Sequence, residues 1–347
     1  MHTFALTNDG KVYAAGLNGN GQLGLGDNTD RQSFTEVTFL GDKNIIAIAA
    51  GSEHSLALTD DGKVYATGNN YFGELGLGDN TNRNSFTEVT FLSDKNITSI
   101  VTDTYHSFAL SSDGKVYATG RNDYGQLGLG DTTNRNSFTE VTFLSDKNIT
   151  AIATGAYHSL ALSNDGKVYA TGWNLYGELG LGNNNNINVF TLVISLSDIT
   201  AIAAGDGYSL ALASDGKVYA TGYNYDGQLG LGDSGIGTNR NNFTEVTSIS
   251  DVSVIAAGVG HSLALTSDDK VYATGRNDYG QLGLGDTTDL SSFTEVTSLT
   301  GKTIAAGNYH SLVLTSDGKV YATGFNASGQ LGLGDWADRE IFTEVGF

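Results

Sequence analysis

Apolar positions along the chain fall in short runs cut apart by Gly, Asn, Asp and Ser. One stretch shows the pattern in full: NITAIATG (148–155), HSLAL (158–162), KVYATG (167–172) and VFTLV (189–193). Runs of about 4–8 residues rich in Ile, Val, Tyr, Phe and Thr between turn-forming residues predict strands. HSLAL places Leu160 and Leu162 on one face and Ser159 and Ala161 on the other, which suits a sheet packed on both sides. The turn SNDGK (163–167) supplies Asp-Gly where a positive φ is needed and predicts an antiparallel hairpin. No segment keeps a helical period.

This four-run unit repeats. KVYATG ends at Gly68, Gly120, Gly172, Gly222, Gly275 and Gly324, and KVYAAG ends at Gly16, giving spacings of 52, 52, 52, 50, 53 and 49. Seven copies fill residues 1–347 as one domain without a linker, and only the fifth carries extra residues, in DSGIGTNR (233–240). Four antiparallel strands in each of seven units predict an all-β fold, a seven-bladed β-propeller. The blades are expected near 2–37, 45–89, 97–141, 149–193, 199–246, 252–296 and 303–345. A solenoid is the rival, and four strands in about 50 residues argue against it. The NITAIATG type should lie innermost, because Ala, Thr and Gly fit a crowded axis, and the FTEV type outermost. The unit that starts at Met1 has no run of the NITAIATG type. The first blade is therefore expected to lack its innermost strand, and ring closure to pair residues 2–6 and 11–16 with a C-terminal neighbour.

Composition removes several classes of function. The 347 residues include 47 Gly, no Pro and no Cys, so disulfides, Cys-ligated metals and thiol nucleophiles are out. Lys+Arg 18 against Asp+Glu 38 gives 18 − 38 = −20, the wrong sign for nucleic-acid phosphates. No apolar run approaches the ~18 residues that span a bilayer, so membrane insertion is not expected. The repeat begins at His2, leaving no room for a signal peptide, and the compartment stays open.

Candidate chemistry mostly dissolves into the repeat. His2, His54, His106, His158, His261 and His310 share one position of the unit, with Tyr208 in the fifth copy. Sevenfold geometry spreads these rings apart, so they read as buried groups hydrogen-bonded to the next blade's backbone rather than metal ligands. GLGD recurs in six copies, with Asn183 in the fourth, and reads as an Asp-anchored turn sometimes paired with a following Arg. Neither a Ca²⁺ loop nor a phosphate cradle fits it. Every Ser–His neighbour pair belongs to the repeated strand, so no catalytic set, metal or cofactor is expected.

What varies between copies lies on one face. In a four-stranded antiparallel blade the first and third turns share one end, and the second turn and the inter-blade link share the other. The second-end segments, such as TDDGK and SDKN, are nearly identical and polar. The first-end segments, such as NNYF, RNDY and WNLY, read as freely variable. They carry Tyr71, Phe72, Tyr105, Tyr124, Tyr157, Trp173, Tyr176, Tyr223, Tyr225, Tyr279, Tyr309 and Phe325, interspersed with Arg121 and Arg276. Aromatics with Arg have the composition of a protein-binding surface, the bland alternative being rings that fill gaps between blades. The acidic balance favours a partner basic at its contact surface. The open first blade leaves room for a monomer or a weak dimer.

IAAGSEHSLAL (48–58), IATGAYHSLAL (152–162) and GRNDYGQLGLGD (120–131) resemble the signature of the regulator of chromosome condensation repeat propellers. The resemblance covers all seven copies. It departs where the family usually has a proline before the outer strand and this chain reads NSFTEV (84–89). The family implies a protein-interaction ring. Some members are nucleotide-exchange factors for Ran-type small GTPases, acting through a wedge inserted in one blade and touching chromatin through a basic tail, neither of which this chain matches. A bare propeller-type β-lactamase inhibitor and a fragment of a longer bacterial surface array are the other readings the resemblance allows.

Overall fold

The second strand of each unit shows why the chain folds as it does. Its Leu residues face the following blade and its Ser and Ala residues the preceding one, so the HSLAL-type strands of blades 2–6 are buried end to end. Leu56 and Leu58 of blade 2, for example, pack with Ile100, Ala109 and Tyr117 of blade 3. The computed structural model describes residues 1–346, and these form seven antiparallel sheets. Six sheets have four strands each. Blade 4 runs Ile149–Thr154, His158–Ser163, Val168–Gly172 and Ile187–Leu192 from the axis outward. The first sheet has three, His2–Leu6, Val12–Gly16 and Arg31–Glu36. The fold is the all-β seven-bladed propeller with the NITAIATG type innermost.

Side chains lock the blades together. His106 Nε2 lies 2.9 Å from Ser159 Oγ in the next blade, and that hydroxyl donates to the Gln126 carbonyl at 2.8 Å. The same relay joins His2 to Ser55, His54 to Ser107, His158 to Ser209, His261 to Ser311 and His310 to Thr3. This corrects the expected backbone partner. The acceptor is a hydroxyl because Ser, or Thr3 in blade 1, stands next along each such strand and meets the histidine ring of the blade before it. Among the seven residues at this position only Tyr208 reaches a backbone carbonyl, donating to His261 O at 2.5 Å. Further out, Gly76 has φ 67° and its Cβ would lie 2.4 Å from the Phe138 ring, so the LGLG loop needs glycine where the next blade's outer Phe crosses it.

Ring closure also differs from the expectation. Blade 1 shares no ladder with blade 7. The two meet as any adjacent pair does, through Thr3 Oγ1 donating to Gln330 O at 2.7 Å, Gly334 N donating to Gln32 O at 2.8 Å and the isolated bridge Ser33–Leu333. Blade 1 carries the locking groups itself, so no shared sheet is required. One lock is missing. In the other six blades the Thr of KVYATG donates to a glycine carbonyl of the preceding blade, as Thr119 does to Gly73 O at 2.8 Å. Blade 1 has the buried Ala15 there. Ala15→Thr is expected to add that bond to Gly329 O and raise stability by about 0.5–1.5 kcal/mol, read as an increase in Tm.

Among the described residues no helix is long and apolar enough to cross a membrane.

Candidate functional site

The first and third turns of each blade are built on a scaffold that leaves their tips free. Asn70, fully buried, accepts the Leu75 amide on Oδ1 at 3.0 Å and donates to the Asp79 carbonyl at 2.9 Å, fixing the loop 69–82 from inside. Asn18, Asn122, Asn174, Asn224, Asn277 and Asn326 repeat this role. The segments after each KVYATG-type glycine are therefore not freely variable. Their second residue is always this Asn, and only its neighbours differ. The GLGD aspartate closes the same loop. Asp79 accepts the Thr81 amide at 2.8 Å and pairs with Arg83 at 2.6 Å, as Asp27, Asp131 and Asp335 pair with Arg31, Arg135 and Arg339 and Asp233 with Arg240. These pairs are partly exposed and secure turns more than they stabilise the ring.

The twelve aromatic candidates fall into three groups. The largest spans blades 2 to 4: Phe72 meets Tyr71 at 4.8 Å and Tyr105 at 5.7 Å between centroids, Tyr105 meets Tyr157 at 5.7 Å, and Trp173 meets Tyr124 edge-on at 4.2 Å. Arg121 sits among them, 4.9 Å from the Phe72 centroid, 5.2 Å from Tyr105, 5.4 Å from Tyr157 and 5.7 Å from Tyr124. Burial works against its charge, but the Asp123 carboxylate at 2.6 Å outweighs it and holds the guanidinium above its ordinary value. Tyr176, Tyr223 and Tyr225 form a second group and Tyr279, Tyr309 and Phe325 a third, the last beside Arg276. Tyr71, Tyr176 and Tyr225 are exposed, and the other nine are half-buried, stacked on one another with edges free. Such ring pairs are worth roughly 0.5–1.5 kcal/mol beyond area, so part of the surface is already ordered.

Inside this ring of aromatics opens the axial cavity, about 510 Å³, with Asp103, Thr104 and Asp206 among its lining. Burial, reinforced by the charge of Asp206, pushes the Asp103 carboxyl up to about 7, and burial raises Asp206 too. No group of three or more His, Cys, Asp or Glu able to hold a metal ion occurs among the described residues.

Sequence reasoning missed three features. Trp336, 48% exposed in loop 325–338, belongs to the same face and would have appeared had the copies been compared past GLGD. The paired carboxylates Asp103 and Asp206 come from turns in blades 3 and 5 that only the closed ring brings together. Glu74 and Glu178 are buried where the other copies have Gln, a difference visible in GELG against GQLG.

Comparison with known proteins accords with this architecture. The model of the RCC1-like domain matches residues 1–236, and models of the regulator of chromosome condensation (RCC1) repeat match 215–265, 268–314, 252–281 and 302–330. The sequence is 33% identical over 300 residues to the ultraviolet-B receptor UVR8 of Arabidopsis thaliana, covering 85% of this chain and 68% of that protein. It is 42% identical over 241 residues to the X-linked retinitis pigmentosa GTPase regulator of Homo sapiens, covering 69% of this chain and 24% of that protein. It is 35% identical over 307 residues to the E3 ubiquitin-protein ligase HERC2 of Homo sapiens, and there it spans only 6% of the relative's length. The crystal structure of Prp20p from Saccharomyces cerevisiae, described with its binding to Gsp1p and histones, superposes with a TM-score of 0.88 at 26% identity over 99% of this chain and 88% of that one. With the repeat, the ring and these matches in agreement, the chain belongs to the RCC1-like domain family.

Proposed function

We propose that this chain is a non-enzymatic protein-interaction module whose partner docks on the aromatic turns of blades 2 to 4. The observation that carries this reading is the unbroken ring contact from Phe72 through Tyr105 and Tyr157 to Trp173 around Arg121, on turns whose inner residues dock the next blade while these side chains remain partly exposed. Tyr, Trp and Arg dominate the energetics of protein interfaces. A net charge of −20 favours a partner basic at its contact, mainly through faster encounter. Replacing Trp173 and Tyr176 together by Ala is expected to weaken a captured partner's affinity about tenfold or more while Tm moves by only a few degrees. A collapse of Tm with affinity intact would reassign both side chains to the scaffold.

Nucleotide exchange on a small GTPase is the second reading, supported by the likeness to Prp20p, which is described with its binding to Gsp1p. The extra residues of blade 5 would give it a protruding apolar tip, Ile236, 95% exposed. Accelerated release of a fluorescent nucleotide from a small-GTPase panel, lost in Ile236→Asp, would support it, and no acceleration across the panel would discard it.

A further inference from the structure

The arginines of the chain do two different jobs. Arg31, Arg83, Arg135, Arg240 and Arg339 commit both Nη groups to their own loop. Arg83, for example, donates from Nη2 to Asp79 and from Nη1 to the Thr81 carbonyl, both at 2.6 Å. The other four repeat this pair of bonds. Arg121 and Arg276 differ. They open the RNDY segment that stands only in copies three and six. Each donates from Nε to the Asp two residues later, at 2.6 and 2.7 Å. Among the described residues, neither Nη of either side chain has a hydrogen-bond partner.

The two are not equally placed. Arg276 lies against two rings, Tyr279 and Tyr309, and feels the charge of Asp226 as well as that of Asp278. Arg121 lies against four rings, Phe72 of blade 2, Tyr105 and Tyr124 of blade 3 and Tyr157 of blade 4. Its side chain is only 20% exposed as a result. A guanidinium packed on rings keeps its N–H edge for hydrogen bonding. Held this way, it has lost most of its rotamer freedom before any partner arrives, so little more is lost on binding. Arg121 thus offers a pre-positioned pair of prongs on a surface from which the rings exclude water.

We infer that the fork of Arg121 is the receptor for a carboxylate of the docked partner, an Asp or Glu side chain taken end-on by Nη1 and Nη2. This rests on the aromatic turns being the docking surface, and it adds what they select. Four coplanar N–H groups match the two oxygens of a carboxylate, whereas a single carbonyl or hydroxyl leaves a prong empty. Charge decides between anions. With Asp123 on Nε and a net charge of −20, a singly charged carboxylate is tolerated far better than a phosphate of nearly twice the charge. The partner therefore carries one acid at the centre of an otherwise basic contact, ringed by aromatics that keep the ion pair dry.

The probe is a phage-displayed library of random dodecapeptides, selected on the intact, immobilised chain. Clones that lose binding when Trp173→Ala and Tyr176→Ala are combined are the ones seated on the aromatic turns, and these are expected to share an Asp or Glu. In a synthetic copy of such a peptide, the matching amide in place of that acid should weaken binding about tenfold or more. Arg121→Lys, which keeps the charge and loses the fork, should do the same. The two changes together should cost little more than either alone, because both remove one contact. Clones on the aromatic turns that share no acid would overturn the inference and leave the docking surface standing. So would affinity that Arg121→Lys leaves unchanged in a variant with native circular dichroism. The peptide-side change probes the same contact with the protein untouched, and equal affinity of acid and amide would overturn it too. A selection in which no clone depends on Trp173 and Tyr176 would overturn both this inference and the docking surface beneath it.

Discussion

Acidification from pH 6.5 towards 4 is expected to unfold the ring in one steep step, driven by its six histidines. Burial holds His54, His106, His158 and His310 down at about 3 and His261 at about 4, and lowers His2 well below its ordinary value too. The geometry explains this. Each Ser or Thr hydroxyl of the relay already donates to a carbonyl, so it accepts from the histidine Nε2–H, and Nδ1 is left buried without a partner. Protonating Nδ1 would place a charged donor where nothing accepts it. The sign follows directly. Above pH 6.5 these rings are neutral in both folded and unfolded chains. Below it the unfolded chain takes up protons that the folded ring refuses, so stability falls as pH drops. Each histidine contributes about 1.4 kcal/mol per pH unit, so six give about 8 kcal/mol per unit, of which the buried acids Glu74, Glu178 and Asp103 offset about half above pH 4.5. A total stability of roughly 5–15 kcal/mol is exhausted within about one to four units. Circular dichroism during acid titration, with proton uptake measured alongside, should show a cooperative transition with a net uptake of about three protons near pH 5, six taken up by the histidines less those that Glu74, Glu178 and Asp103 hold only in the folded ring. His158→Tyr, which copies the natural Tyr208, should lower that count by one. A gradual transition, with an uptake that His158→Tyr leaves unchanged, would contradict this account of the relay.

Raising the pH is expected to weaken the same ring through two buried acids. Glu178 and Glu74 are 1% and 2% exposed and occupy the position of Gln22, Gln126, Gln228, Gln281 and Gln330. Like those glutamines, each accepts the amide two residues earlier, from Tyr176 at 2.8 Å and Phe72 at 2.9 Å. Oε1 of Glu178 has no partner. Burial pushes Glu178 up to about 8 and Glu74 to about 7, against the pull of those backbone amides. Below pH 4.5 both carboxyls are neutral, folded or not, and nothing is lost. Between pH 4.5 and about 8 the unfolded chain releases the Glu178 proton while the folded ring keeps it, so stability falls by a total on the order of 4 kcal/mol before levelling. Glu178→Gln should remove its share of this slope, leave that of Glu74, and keep stability at pH 4 nearly unchanged, as measured by urea unfolding at a series of pH values. An unaltered slope in the variant would show that the carboxyl ionises freely in the folded chain.

The two titrations together place maximum stability near pH 6 to 7, between histidine uptake and glutamate release.

The ring itself was legible because its information is repeated. Seven KVYATG-type runs, seven HSLAL-type runs and six NITAIATG-type runs sufficed for the blades, their strand order and the three-stranded first blade. The closure was not legible. Whether Thr3 and Gln32 meet blade 7 in a ladder or through side chains and loop amides depends on which strand edge faces which, and spacing carries no such information. The histidine partner failed for a related reason. Ser159 follows His158 in sequence, yet it serves the histidine of the preceding blade. On the variable face, residue type located the aromatics, but the fixed Asn beneath them was hidden by the variety around it. Trp336 lay beyond the compared window, and Glu178 was passed over because a Gln-to-Glu exchange looks conservative until the site proves to be dry.

The most direct test of the central claim, that the aromatic turns are the working surface of the ring, is hydrogen exchange of the chain with and without its bound partner. Protection is expected in residues 69–82, 103–105, 121–134, 155–157 and 173–186, with the polar turns at 60–63, 112–115 and 164–167 unchanged. Protection confined to those polar turns, with the aromatic turns exchanging as in the free chain, would contradict it.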